Sequence, residues 1–486
     1  MNKVLKNEKV QRFFDEILGN TLYFKALFLS LLIISSINLS EKLIMSNMIG
    51  PYMKFILVYG FFVILYDFLT VRNILHNRYR WLFFLFAFFM GLSIVANYDK
   101  GLVANVKDYV YLLIGLFCVS MVPLNRSKEN IRKEFCILSF IVIVCYFLLA
   151  LFALYTFIWQ IQIPYTNSFG ITAYVGIGYG GRLWGATGNA NTLGMQMMFV
   201  IFLSLCLLLF MKGKKRFWLI PAVVVATLCL MLSGSRGAFV SLLCCASALI
   251  FLKILFLQKH KISFLNVVKA LAVTLLIVVA YIGGAKLLQY SVSYLPPLVA
   301  QMQMADDEKS DEADSSSSAG SAAQGETNRV TTQRDTSKDD ISAGTGRVSL
   351  WNAAWNIFKQ SPLFGVGYDA TPEALLTHLP ENWAEVFGEP KYVHNIYFQL
   401  LASSGIFAFL SFMIMMVYFA VAGFRRLFSC IAGKKSDAPM LICIISGFMM
   451  ILVHQCFETY ILYFPSVLGF LFFMFLGYLP YYLKKE

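Results

Sequence analysis

Apolar residues run along the chain in long unbroken blocks, separated by short polar connections, with little strict alternation. Blocks such as "FILVYGFFVILYDFL" and "WLFFLFAFFMGLSIV" are apolar on every side of a helix, as suits a segment with lipid on one face and protein on the other. About 20 such residues rise through a hydrocarbon core of about 30 Å. About twelve windows meet this condition, centred near Leu31, Phe61, Phe86, Ile114, Val144, Phe199, Val225, Leu249, Ile277, Met413, Gly447 and Phe472. The alternating segments of about ten residues that build a membrane β-barrel are absent. The pattern predicts an all-α polytopic membrane protein, with about 12 transmembrane helices and a large extracytoplasmic loop containing short helices. Residues 1–286 would hold the first nine spans, 287–393 the loop, and 394–486 the last three spans.

Two connections depart from the short polar kind. One is "IQIPYTNSFGITAYVGIGYGGRLWGATGNANTLG", rich in Gly, Tyr and Asn. The other is the loop 287–393. Its stretch at about 305–345 is Ser-rich, acidic and nearly free of apolar residues, so it is expected to be a solvated, disordered insert. Beyond it, "SLWNAAWNIFK" places Trp351, Ala354, Trp355 and Phe358 on one helical face, with Ser349 as N-cap, which suits a helix on the membrane interface. A Gly-rich turn follows, then a short helix with Thr371 as cap and Pro372 at its first position.

Charge orients this array. The chain carries a net +13, 14% charged residues and mean hydropathy +0.67. Soluble domains hold about 25% charged residues. Lys and Arg recur in every second connection: Lys3 to Arg12, Arg72 to Arg80, Arg126 to Lys133, Lys212 to Arg216, Lys253 to Lys261, and Arg425 to Lys435. The positive-inside rule puts these connections and both termini in the cytoplasm. The basicity therefore reflects topology, and no nucleic-acid partner is expected. The polar N-terminal twenty residues read as a cytoplasmic lead-in and not a cleaved signal peptide. The ten cysteines lie almost wholly in apolar segments, where they act as small hydrophobes.

Against that frame, three arginines fall on the outer side: Arg182 in "GGRLWGATGNAN", Arg236 in "SGSRGAF" and Arg347 in "GTGRVSLW". An ionisable group in the very short turn around Arg236 is a functional hypothesis by default. Guanidinium presents a planar fork of donors that suits phosphate or pyrophosphate, and Ser235 with the adjoining helix N-terminus would add to it. Snorkelling to lipid phosphates is the plainer alternative for each arginine. His394, where the tenth span opens, could accept a proton near neutral pH, or could simply bond to backbone. Asn395 could orient a hydroxyl or, more simply, cap the helix. Asn191 shares the loop with Arg182. His454 and Glu458, four apart in the eleventh span, are too few for a metal site, and packing or a mutual hydrogen bond explains them better. No GxxxxGK[ST], CxxC or HExxH motif is present. Neither metal nor cofactor is expected.

The ordered run "GRLWGATGNANTLG", "SGSRGA", "GRVSLWNAAWNIFKQSPLFGVGYDA" and "HNIYFQLLASSGIFAFL" resembles the O-antigen ligase and O-antigen polymerase family of bacterial membrane glycosyltransferases. That resemblance implies transfer of a glycan from an undecaprenyl-pyrophosphate carrier to an acceptor hydroxyl on a polysaccharide, lipid or protein, at the outer face of the plasma membrane. It implies that Arg236, helped by Arg182 and Arg347, binds the pyrophosphate and that His394 activates the acceptor, with inversion. The partners implied are the undecaprenyl-pyrophosphate-linked oligosaccharide, the acceptor, membrane lipids and other polysaccharide-assembly proteins. Where the family often has an acidic residue before a glycine of this helix, Ser403 and Ser404 precede Gly405. A polymerase is favoured over a ligase. A lipid-linked oligosaccharide transporter, or an attachment protein using its outer loop, are the readings from other classes.

Overall fold

In lipid a backbone has to satisfy its own hydrogen bonds, and an apolar run does so as a helix. The computed structural model describes residues 13–19, 21–39, 42–123, 126–166, 172–211, 213–258, 263–312, 346–381, 383–384 and 388–483. The apolar blocks form α1 (Thr21–Ser35), α2 (Met45–Tyr66), α3 (Arg80–Ala96), α4 (Leu102–Ile114) and α5 (Lys128–Ile158). After a small sheet come α6 (Ala190–Leu208), α7 (Leu219–Ser233), α8 (Arg236–Leu257) and α9 (Phe264–Val292), which runs on into α10 (Leu295–Glu312). The remainder is α11 (Arg347–Gln360), α12 (Thr371–Leu376), α13 (Ile396–Ala432), α14 (Ala438–His454) and α15 (Val467–Tyr482).

Eight of the described helical stretches are long and apolar enough to cross a membrane, and α1, α3, α14 and α15 are shorter apolar helices. Each of the twelve apolar centres lies inside one of these. The helices are apolar outside as well as inside. Phe61 on α2 and Leu276 on α9 are 60% and 69% exposed, while Phe24, Phe86, Phe199 and Phe472 are fully buried. Only lipid makes such an outer surface inexpensive. The fold is an all-α polytopic membrane architecture.

Two clusters of charged groups inside this bundle are paired. Lys25 on α1 and Glu134 on α5, 1% and 2% exposed, meet at 2.8 Å. Lys25 also donates to the Met121 carbonyl, the Tyr478 hydroxyl donates to Glu134 from α15, and Arg126 closes the group on the other carboxylate oxygen. Asp437, just before α14, takes Lys128 and Arg426. These clusters sit at the end of the bundle where α5 and α14 begin.

Two connections take forms the apolar pattern did not describe, and two helix-cap expectations are corrected. The connection after α5 is a three-stranded antiparallel sheet: β1 (Gln162–Thr166), β2 (Thr172–Ile177) and β3 (Leu183–Gly185), in order β1-β2-β3. Its alternation buries Tyr165, Ala173 and Val175 against Ile44, a period of two too short to stand out beside the spans. At the start of the acidic stretch α10 continues through Glu312; Ala, Glu and Lys propagate a helix already nucleated. The rest of that insert, 313–345, lies outside the described residues, as does most of the N-terminal lead-in. Ser349 is not an N-cap, since α11 begins at Arg347 after Gly346 in the left-handed region. Its buried face is Leu350, Ala353, Ala354 and Ile357, and Trp355 remains 45% exposed. The alanines let α11 approach α13 closely, and the larger Trp351 is turned to the flank to stack on Phe398 at 6.0 Å. Finally, Ala370 precedes α12, so Thr371 is inside it and Pro372 comes second; the Thr371 hydroxyl donates to the Gly367 carbonyl.

The Gly-rich "PLFGVG" has a structural purpose. Helix α13 is broken at Gly405, at φ 77° and ψ −175°. The break frees backbone groups, and the neighbouring segment takes them. Val366 and Gly367 N–H donate to the carbonyls of Ala402 and Ser403, and Ile406 N–H donates to the Pro362 carbonyl, at 2.8 to 3.0 Å. A Cβ on Gly405 would lie 2.3 Å from the Leu363 oxygen, so only glycine allows this approach.

Candidate active site

The other end of the bundle gathers the turn between α7 and α8, the start of α6, the start of α11, the start of α13 and the loop after α14. Each enters for a local reason. Gly234 caps α7 in the left-handed region at φ 61°, which reverses the chain into α8 at Arg236. Gly194 lets α6 press on this turn, since a Cβ there would lie 2.3 Å from Ser235 Cβ. Gly237 in turn admits Phe457, next to Glu458.

Asn395 caps α13, its Oδ1 accepting from the N–H groups of Tyr397 and Phe398. Its Nδ2 donates to the Cys456 carbonyl, and Ile396 N–H donates to the Gln455 carbonyl. Both halves of the Asn395 amide are thus engaged within the protein, in the capping role. These bonds pin the start of α13 to residues 455–456. Directly before the cap, His394 adopts φ 53°. A non-glycine residue in that region is held there by its surroundings, commonly at functional sites.

Glu458 is the hub. Its Oε2 lies 2.8 Å from His394 Nδ1. Its Oε1 accepts from Arg347 at 3.1 Å and from the Asn191 amide at 3.2 Å. The Asn191 Oδ1 then accepts from Arg182 at 2.8 Å, and the Arg182 Nε donates to the Ser233 carbonyl, also at 2.8 Å. One contiguous network therefore connects Arg182, Asn191, Arg347 and His394, and Ser235 and Arg236 follow Ser233 by two and three residues. Arg236 is exposed at the first position of α8, and Ser235 is buried beside it.

Glu458 is 4% exposed, and burial alone would raise its pKa. The charges of His394, Arg347 and His454 together with the His394 hydrogen bond outweigh burial and hold it below the ordinary carboxylate range. An ionised carboxylate only accepts hydrogen bonds. In the neutral imidazole the proton therefore sits on Nδ1, and Nε2 carries the lone pair. The His394 side chain is 34% exposed, so that lone pair is reachable. A base oriented by a buried carboxylate next to fixed guanidiniums can deprotonate a hydroxyl and stabilise a departing anion.

Glu458 was missed as a site residue. The sequence reading kept it in the eleventh span with His454, but α14 ends at His454, so the i, i+4 relation is never formed. His454 is buried with no hydrogen-bond partner on Nδ1, and Glu458 turns instead to His394. The available signal was a lone carboxylate in an apolar stretch, "HQCFETYIL", which calls for a partner. His378 meets Gln360 on the surface. Among the described residues no group of three or more His, Cys, Asp or Glu is placed to hold a metal ion.

The bundle is a polytopic membrane architecture, and one of its ends joins an imidazole, a buried carboxylate and two guanidiniums in a single network. Residues 221–413 match the family model described as O-antigen ligase, which bears out the family resemblance drawn from the motifs. Arg236, Arg347 and His394 fall within the match, and Arg182, Asn191 and Glu458 fall outside it. No curated protein matches the chain. The family supports glycan transfer in surface-polysaccharide assembly, lipid-linked polysaccharide substrates and a multi-pass plasma-membrane setting.

Proposed function

We propose that the protein transfers a glycan from an undecaprenyl-pyrophosphate carrier to an acceptor hydroxyl at the extracytoplasmic face, with both termini in the cytoplasm. The observation that carries this reading is the bond between His394 Nδ1 and the buried Glu458 carboxylate, in one network with Arg347, Asn191 and Arg182. The acceptor hydroxyl loses its proton to His394 Nε2 as its oxygen attacks the anomeric carbon. The bond from that carbon to the pyrophosphate oxygen breaks, the configuration inverts, and the lipid pyrophosphate leaves with the electron pair. Arg236, Arg182 and Arg347 meet that charge, an effect that is often the largest single one in such sites. Base catalysis contributes roughly 10² to 10⁴ more. The proposed step uses no metal. We favour a growing polysaccharide as acceptor, which makes the protein a polymerase; a ligase would differ only in the acceptor.

A transporter would use interrupted helices to expose backbone at a substrate site. The α13 interruption is of that kind, but its freed groups at Ala402, Ser403 and Ile406 are bonded to 362–367, which makes it a docking point.

A deletion strain complemented with wild type, His394→Ala or Arg236→Ala tests the proposal through its surface-glycan length profile. Both variants are expected to lose long glycan and to accumulate lipid-linked units. Normal chains from either would overturn it.

A further inference from the structure

Between α6, α7, α8 and α9 lies a cavity of about 130 Å³ that the chemistry at His394 does not use. Ile201 of α6, Val223 of α7, Leu243 and Ile250 of α8 and Val278 of α9 help to line it. Two polar side chains also border it, and both oxygens are already engaged. Ser247 Oγ donates to the Leu243 carbonyl one turn back, and the Tyr281 hydroxyl lies 3.3 Å from Thr227 Oγ1. The surface turned to the cavity is therefore hydrocarbon throughout. A cavity of this kind stays dry, and one of about 150 Å³ admits a benzene-sized molecule. Sugar hydroxyls or a phosphate placed there would lose water and gain no partner.

Its place on α8 connects it to the site. Leu243, Ser247 and Ile250 follow Arg236 by 7, 11 and 14 residues, spacings that return to one face of a helix. Val240, one turn along that same face, is 42% exposed, and Leu243, Ser247 and Ile250 are half-buried. The stripe thus runs from the Arg236 guanidinium, past a position open to lipid, into the cavity. At a rise of about 1.5 Å per residue, Leu243 and Ile250 lie about 10 and 20 Å along α8 from Arg236. The neighbouring helices agree: Val223 and Ile201 are each about 15 Å from the end of α7 at Ser233 and the start of α6 at Ala190. In a hydrocarbon core of about 30 Å that depth is near the middle.

A cation at the head of an apolar stripe that leads into a dry cavity suits an amphiphile with a phosphate head and a hydrocarbon chain. We propose that the cavity between α6, α7, α8 and α9 holds a segment of the donor's polyprenyl chain, while Arg236 at the head of the same stripe meets its pyrophosphate. A single isoprene unit is close in size to benzene, so the cavity takes about one unit of the chain. This inference rests on the glycan-transfer reading and adds a role for the chain. Burial of a chain segment, remote from the reacting bond, fixes the depth at which the pyrophosphate stands beside the guanidiniums.

The test uses full-length protein in nanodiscs and two donors that carry the same glycan. One has the undecaprenyl chain, and the other has dimethylallyl, too short to reach the cavity from Arg236. Ala246→Phe fills the cavity from α8, and Val278→Phe fills it from α9. Each is expected to raise KM for the undecaprenyl donor roughly tenfold and to leave KM for the dimethylallyl donor and for the acceptor unchanged. Ala248→Phe, the same change on the exposed side of α8, should alter neither donor. Unchanged KM for the undecaprenyl donor in both cavity variants overturns the proposal, and is the result if an ordinary phospholipid chain is the occupant. An equal rise with both donors also overturns it, since a loosened bundle acts without regard to chain length. Either result leaves the chemistry at His394 standing. Wild-type transfer rates from His394→Ala would instead overturn the transfer reading itself. Size-exclusion profiles matching wild type show that each variant is folded.

Discussion

His394 Nδ1 and Glu458 Oε2 stand 2.8 Å apart, although 64 residues separate them in sequence, and the carboxylate is all but excluded from water. This bond fixes the ring and selects the tautomer that leaves Nε2 basic. Glu458→Ala should therefore cost roughly 10² to 10⁴ in transfer rate, close to the loss from His394→Ala. Glu458→Gln, which can still accept from Nδ1, should fall between. Because the two side chains act as a unit, the double variant should be little worse than either single one. Initial rates on the purified variants measure this, and losses that multiply would show the two act independently.

Linkage gives a pH signature for the same carboxylate. Its folded pKa is depressed: burial opposes this, but His394 and Arg347 prevail. A depressed carboxylate contributes stability above its unfolded value, about 4.3 for Glu, and loses it as pH falls through the folded value. The difference in Tm between wild type and Glu458→Gln should persist from about pH 8 into mild acid and shrink as the pH falls below the ordinary carboxylate range. Thermal melts in detergent across that range decide it, and a gap that opens only above neutrality would contradict the assignment.

Gly405 tests the docking of the α11–α12 connection onto α13. Gly405→Ala places a Cβ 2.3 Å from backbone at φ 77°, a strain of at least about 1–3 kcal/mol. Tm should drop by several degrees and activity should fall with it, because α13, which this break interrupts, begins directly after His394 and Asn395. Gly283→Ala in α9, with nothing within 4 Å, serves as the control and should be neutral or slightly stabilising. Equal melts for the two variants would mean that the break is not held by the 362–367 segment.

Charge neutralisation by fixed guanidiniums predicts activity that survives chelation. Transfer in EDTA should match transfer in buffer. Loss that Mg²⁺ or Mn²⁺ restores would require a different chemistry at the leaving group.

The sequence carried the architecture because burial in lipid demands long apolar runs, and all twelve apolar centres became helical. It also carried the cations, since Arg182, Arg236, Arg347 and His394 were each conspicuous beside an apolar span. Their grouping came only with the fold. Glu458 was hidden by an assumed helix that stops at His454, and hydropathy does not mark where an apolar helix unwinds. The face of α11 was misjudged by one position because large aromatics draw attention, whereas close helix contact is made by Ala353 and Ala354. The β1–β3 sheet was lost for want of length, as its strands are 5, 6 and 3 residues.

The most direct measurement is a reconstituted single-turnover assay with lipid-linked donor and acceptor glycan, following glycosidic bond formation and lipid pyrophosphate release together. Wild type should yield the two products in equal amounts, and His394→Ala should slow both by roughly 10² or more while binding donor normally. Equal single-turnover rates for wild type and His394→Ala would contradict the central claim that this imidazole, held by Glu458, is the base for transfer.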